Sequence, residues 1–142
     1  MREAEELFRA TPIPAYRICD ATVDVFAPCA LGAIINDETL PRLKTKIVAG
    51  SANNQLAEHR HGDELKAHNI LYAPDYAINA GGVISIPYEY SGTYEQEAAY
   101  RHVSGIGSAL SAIFKHARRL DISTNAAANN IAEDRFRALE AA

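Results

Sequence analysis

The 142-residue chain is 48% hydrophobic and 23% charged, which supports one globular domain with a core and excludes wholesale disorder, a collagen-like rod or a low-complexity tail. No run approaches the roughly 18–20 apolar residues needed to cross a bilayer. A net charge of −4 without a basic stripe argues against nucleic acid as a partner. The acidic start, Arg2-Glu3-Ala4-Glu5-Glu6, carries no signal-peptide pattern. Cys19 and Cys29 fit no metal or disulfide spacing, so free thiols and a reducing, cytoplasmic setting are expected.

Glu3 to Arg9 reads as a short helix, and Thr11-Pro12-Ile13-Pro14 as an extended or turning link. Three compact apolar runs follow: Val23-Asp24-Val25-Phe26, Lys46-Ile47-Val48-Ala49 and Ile70-Leu71-Tyr72. They recur about every 23 residues, the spacing of strand-helix-strand units. Short, nearly unbroken runs of this kind suit parallel strands covered on both faces. Between them, Asn36-Asp37 is expected to cap a helix holding Leu40, with Pro41 in its first turn, and Gly62 to His68 forms another helix stopped by Asn69. In Ala77 to Ser91, Gly81-Gly82 and Pro87 argue against a regular helix. Ala99, Val103, Ile106, Leu110, Ile113, Ala117 and Leu120 step by four and three, which predicts one long amphipathic helix from Tyr94 to Leu120. Ser123-Thr124 then caps a last helix.

The class is therefore α/β: a partial, doubly wound, Rossmann-like parallel sheet of three strands with flanking helices and a long C-terminal helix, in one domain spanning 1–142. Ligands of such sheets lie beyond the carboxyl ends of the strands. The segments there are Ala27-Pro28-Cys29-Ala30-Leu31-Gly32, Gly50-Ser51-Ala52-Asn53-Asn54 and Pro74-Asp75-Tyr76. Small residues and amides let a ligand approach backbone closely, yet the same residues make ordinary turns, and composition leaves both readings open. No G-x-G-x-x-G or G-x-x-x-x-G-K-[ST] is present to cradle a pyrophosphate. His59-Arg60-His61 lacks a carboxylate at fitted spacing and reads as exposed polar residues rather than metal ligands. Ser104, Ser108 and Ser111 have no nucleophile-elbow context.

The stretches Asp24 to Gly32, Ile35 to Pro41, Ala49 to Leu56, Leu71 to Tyr76 and Ile78 to Ile84, in this order, resemble the C-terminal cofactor-binding domain of the glutamate/leucine/phenylalanine/valine dehydrogenases, nearest the leucine dehydrogenase branch. The resemblance implies reversible oxidative deamination of an L-amino acid to its 2-oxo acid, with NAD as hydride acceptor, in a homo-oligomer. It places Cys29, Ala30 and Leu31 against the nicotinamide, Asn53 at its ribose or amide, and Asn79 facing both substrate and nicotinamide. Val83 and Ile86 match positions lining the substrate side-chain pocket, and their aliphatic character favours a branched aliphatic substrate over glutamate. It also makes Ala77 to Ser91 a helix entered through glycines. The Gly-Gly-Gly-Lys segment, the catalytic Lys and Asp, and the Gly-rich turn of that family have no counterpart in these 142 residues. The expectation is the nicotinamide-side part of a leucine-like dehydrogenase, inactive as an isolated chain, with no catalytic residue and no metal ligand of its own. The other reading is a non-catalytic oligomerisation or ligand-binding module with the same fold, since a missing half-sheet would leave β-edge and apolar faces for a partner.

Overall fold

The computed structural model describes residues 2–90 and 95–140. Within them the order is α1 (Arg2–Phe8), β1 (Val25–Phe26), β2 (Ile47–Val48), α2 (Arg60–Ala67), β3 (Leu71–Tyr72), α3 (Asp75–Ile78), α4 (Gly81–Tyr90), α5 (Gln96–Ser104), α6 (Ile106–Leu120) and α7 (Thr124–Glu140). Tight 3-10 turns at Ala15–Asp20 and Leu40–Arg42 complete it.

The three apolar runs form a parallel sheet in the order β1-β2-β3, with Ile47 between Val25 and Leu71, and Val48 between Phe26 and Tyr72. Partners in register share a face. Phe26, Val48 and Tyr72 are buried with Cys19, Ile35, Leu40, Leu65 and Ile70 in one core cluster. Each large aliphatic of that cluster contributes about 1.5–3 kcal/mol by leaving water. The opposite face differs from expectation: Val25 is 47% exposed and Leu71 39% exposed. The residues described cover one face of this sheet, where the unbroken apolar pattern predicts cover on both.

The helices follow their local chemistry, with two corrections. Asn36 Oδ1 accepts from the amides of Glu38 and Thr39, as a cap does, but the segment it opens is only the Leu40–Arg42 turn, with Pro41 inside it. The single helix expected from Tyr94 to Leu120 is two helices that meet at Gly105 (Tyr94 itself lies outside the described residues). The Gly105 amide donates to His102 O at 2.9 Å, an i−3 bond that tightens the turn, and the Ser104 hydroxyl is diverted to Tyr100 O. Glycine lowers helix propensity at that position, so the apolar stripe continues while the backbone does not.

Residues Gly81–Tyr90 are helical despite Pro87, as the family resemblance implies and the glycine-proline argument does not. Ser91 lies outside the described residues. Asn69 stops α2 in a left-handed conformation at φ 58°, and Asp121 ends α6 at φ 54°. Ser123 caps α7 by accepting from the Ala126 amide. A second apolar cluster of Ile113, Ala117, Ala127 and Ala128 packs α6 on α7. Thr124 ties α7 to the sheet, its hydroxyl donating to Tyr72 O at 2.6 Å.

Candidate functional site at the carboxyl ends of the strands

The segments leaving the three strands converge. The Ala52 amide donates to Pro28 O at 2.9 Å, and the Ala33 amide to Asn54 O at 2.7 Å. The approach is close enough to require glycine: a Cβ at Gly50 would lie 2.1 Å from Pro28 O, and one at Gly32 would lie 2.8 Å from Asn53 O. The third segment joins through side chains. Asn79 Nδ2 donates to Asn53 Oδ1, and the Asn54 amide donates to Asp75 Oδ2, each at 2.5 Å. Asn54 itself is left-handed, at φ 52°, a conformation asparagine tolerates better than most side chains.

Of the residues singled out in the sequence, Asn53 and Asn79 therefore meet directly. Cys29 belongs to the same group through Ser51. The Ser51 hydroxyl, and after it the Ser51 amide, donate to the sulfur and hold the Cys29 thiol below its ordinary pKa. Cys29 is exposed and free, whereas Cys19 is free but buried, and burial pushes its thiol up. Ala30 and Leu31 are exposed beside it. Val83 and Ile86 lie three apart on α4, which places them on one side of that helix. Both are exposed, Val83 at 71%, and neither joins a core cluster.

Several polar residues under these loops carried no recognisable signal in the sequence. Gln55 is fully buried, and its amide donates to Gly50 O at 2.8 Å and Ala52 O at 2.9 Å, bracing the loop that presents Asn53. Its Oε1 has no partner among the described residues. Asp75 is buried and also accepts from the Tyr72 hydroxyl at 2.9 Å. Burial pushes the Tyr72 hydroxyl far above its ordinary range.

The His59-Arg60-His61 stretch needs a correction. His59 and Arg60 are exposed, but His61 is buried at 1% exposure. The Glu58 amide donates to His61 Nδ1, which leaves Nε2 to donate to Asp37 Oδ1 at 3.2 Å. Asp37, His61 and Glu64 come together as metal ligands do. The charge there is met by Arg60, which pairs with Asp37 at 2.7 Å, Glu58 at 3.0 Å and Glu64 at 2.6 Å. The Arg60 guanidinium, and after it His61, hold the Asp37 carboxyl below the usual carboxylate range. The group is an ion-paired brace between the turn after Asn36 and α2.

Known proteins match this architecture. A family model described as Glutamate/Leucine/Phenylalanine/Valine dehydrogenase covers residues 2–140. The leucine dehydrogenase of Thermoactinomyces intermedius is 51% identical over 133 residues, 94% of this chain and 36% of that protein. The phenylalanine dehydrogenase of Caldalkalibacillus thermarum is 50% identical over 113 residues, 80% of this chain and 30% of that protein. The crystal structure of the L-tryptophan dehydrogenase of Nostoc punctiforme superposes with a TM-score of 0.91 at 45% identity, covering 96% of this chain and 41% of the other. The chain thus spans roughly a third of the length of the curated relatives it matches. By family match and identity, the chain belongs to the Glutamate/Leucine/Phenylalanine/Valine dehydrogenase family.

Proposed function

We propose that this chain forms the nicotinamide-side part of an NAD-dependent dehydrogenase of branched-chain L-amino acids. The overall reaction converts L-amino acid, NAD⁺ and water into 2-oxo acid, ammonium, NADH and a proton. The observation that carries this reading is the convergence of three post-strand loops on the Asn53–Asn79 pair. Bound nicotinamide supplies the hydride acceptor. The residues here suit that group: Asn53 and Asn79 each offer an amide donor and acceptor, and Cys29, Ala30 and Leu31 offer small or apolar exposed surface beside them. Asn79 reaches toward substrate and cofactor together, while Val83 and Ile86 receive the substrate side chain. An aliphatic wall leaves a second carboxylate unpaired, which disfavours glutamate. The general base belongs to the remainder of the enzyme, as does the grip on the diphosphate. Assembly into a homo-oligomer and a cytoplasmic setting are part of the same proposal.

The decisive experiment mixes this chain with the remaining part of a leucine dehydrogenase, produced separately, and follows leucine-dependent NADH formation at 340 nm. Activity is expected from the mixture and not from the chain alone. Turnover by the chain alone would overturn the division of labour. Comparing leucine with phenylalanine and tryptophan tests the side-chain pocket, since relatives named for each of these substrates match the chain.

A second reading rests on the exposed sheet face at Val25 and Leu71: a non-catalytic module that assembles through that surface. NAD titration separates the two. Binding that is restored only with the added partner supports the enzyme part, whereas assembly without any nucleotide affinity supports the module.

A further inference from the structure

We propose that Asp75 is the positioning residue of the cleft: a buried carboxylate that holds the asparagine proposed for the cofactor and the asparagine proposed for the substrate in one fixed arrangement. The inference rests on the functional reading above and adds a residue to which that reading gave no role.

The argument is one of connectivity. Asp75 is the first residue of α3, immediately beyond the end of β3, and is buried. Its Oδ2 accepts from the Asn54 backbone amide at 2.5 Å. Its Oδ1 accepts from the Tyr72 hydroxyl at 2.9 Å, and the same hydroxyl accepts from the Asp75 amide at 3.2 Å. The carboxylate is thereby oriented by a side chain that is itself fully buried. On the far side, the Asn79 amide donates to Asp75 O at 2.9 Å, closing the turn that presents Asn79. The Asn79 side chain then donates to Asn53, the residue just before Asn54. These bonds form a closed ring: carboxylate to Asn54, along the chain to Asn53, across to Asn79, and back along α3 to Asp75. The Asp75 carboxylate ties the ring to the buried Tyr72 hydroxyl, and its loss would leave that hydroxyl and the Asn54 amide without their acceptor, so the ring is set from the Asp75 side. Asn53 is exposed and Asn79 half-buried at the rim of the ring, where a ligand would meet them. Gln55 braces the same loop from within, its side-chain amide donating to Gly50 O and Ala52 O.

The test uses the 142-residue chain labelled with nitrogen-15, as wild type, Asp75→Ala and Asp75→Asn. Two readouts are followed: on the chain alone, the backbone proton shift of Asn54 with the solvent exchange of the Asn79 side-chain amide; and, with the separately produced remainder of a leucine dehydrogenase added, the resonance shifts that NADH induces. The wild type should show a strongly downfield Asn54 proton and slow Asn79 exchange. Asp75→Ala should lose both and weaken NADH binding about tenfold, with the α6 and α7 resonances unchanged. Asp75→Asn keeps one acceptor for the Asn54 amide and should recover most of the affinity. An Asp75→Ala variant with wild-type Asn54, Asn79 and NADH behaviour would overturn the proposal. So would failure of the Asn variant to rescue, because Asn retains the acceptor for the Asn54 amide on which the proposed positioning rests. If the Ala variant does not fold, Tyr72→Phe removes the donor that orients the carboxylate, and an unmoved Asn54 proton in that variant would also overturn the proposal. A wild-type chain that shows no NADH-dependent shift at millimolar NADH even with that remainder added counts against the functional reading, while the Asn54 and Asn79 signals still decide the role of Asp75.

Discussion

The loop that presents Asn53 and the helix that carries Val83 and Ile86 follow the ends of neighbouring strands, yet they are built in opposite ways. In the loop, Ala52 and Gln55 are buried, Gly50 lies directly against Pro28, and backbone groups are tied to both adjoining segments. Helix α4 has no buried residue, a Cβ at Gly82 would meet nothing within 4 Å, and Pro87 removes one amide from its ladder. The difference teaches how one site can keep its chemistry while its selectivity drifts. The part proposed to meet the nicotinamide is immobilised by main-chain contacts that few substitutions respect. The part proposed to meet the variable side chain lies on a surface where a substitution disturbs little else.

The sharpest way to break that contrast is Gly50→Ala. Its Cβ would collide with the Pro28 backbone, so destabilisation of about 3 kcal/mol or more is expected in chemical denaturation. Gly82→Ala on α4, with open space around it, should be neutral or slightly stabilising in the same assay. Equal effects at the two glycines would erase the distinction. Next comes Gln55→Leu, similar in volume but without donors for Gly50 O and Ala52 O, with an expected cost of about 2 kcal/mol. Ile86→Ala should cost about 0.5 kcal/mol or less, since the residue is about half exposed and joins no core cluster. In the reconstituted enzyme the same change should alter the leucine-to-phenylalanine ratio of kcat/KM by about tenfold. A large stability loss with an unchanged ratio would invert the assignment of the two regions.

The smallest effect concerns the Arg60 brace. The Asp37 carboxyl is held below its ordinary pKa in the folded chain, so its contribution is present above the unfolded value and disappears as pH falls through the folded one. Asp37→Asn should therefore unfold at a lower temperature than wild type at neutral pH, with the gap closing below about pH 4. Thermal scans between pH 7 and pH 2 read this directly. Added salt should narrow the gap, because Asp37 and Arg60 are largely exposed.

The strands were legible because Val25-Phe26, Ile47-Val48 and Leu71-Tyr72 are short apolar runs closed by Pro or Gly within a few residues. The convergence of the segments holding Cys29 and Asn53 was legible too, because topology puts the residues after parallel strands at one end of the sheet, whereas Asn79 was singled out only through the family resemblance. Other features were not. Hydrophobic periodicity runs straight through Gly105, since it reports which face is apolar and not whether the backbone tightens from an i−4 to an i−3 bond. His61, Gln55 and Asp75 look like surface residues by type. His61 and Asp75 are buried against partners distant in sequence, Asp37 and the Asn54 amide, and Gln55 against two carbonyls of its own loop. The uncovered face at Val25 and Leu71 escaped for the opposite reason: an apolar run states that a face should be covered, not that the cover lies within the same 142 residues.

That bare side of the sheet also governs how the molecule behaves on the bench. With Val23, Val25 and Leu71 partly meeting water, a concentrated sample is expected to self-associate and to bind anilinonaphthalene dyes while fully folded. Fluorescence of such a dye is then no sign of a molten state here. Threonine at positions 25 and 71 would keep the strand propensity, quench the dye signal and lengthen the shelf life of a preparation.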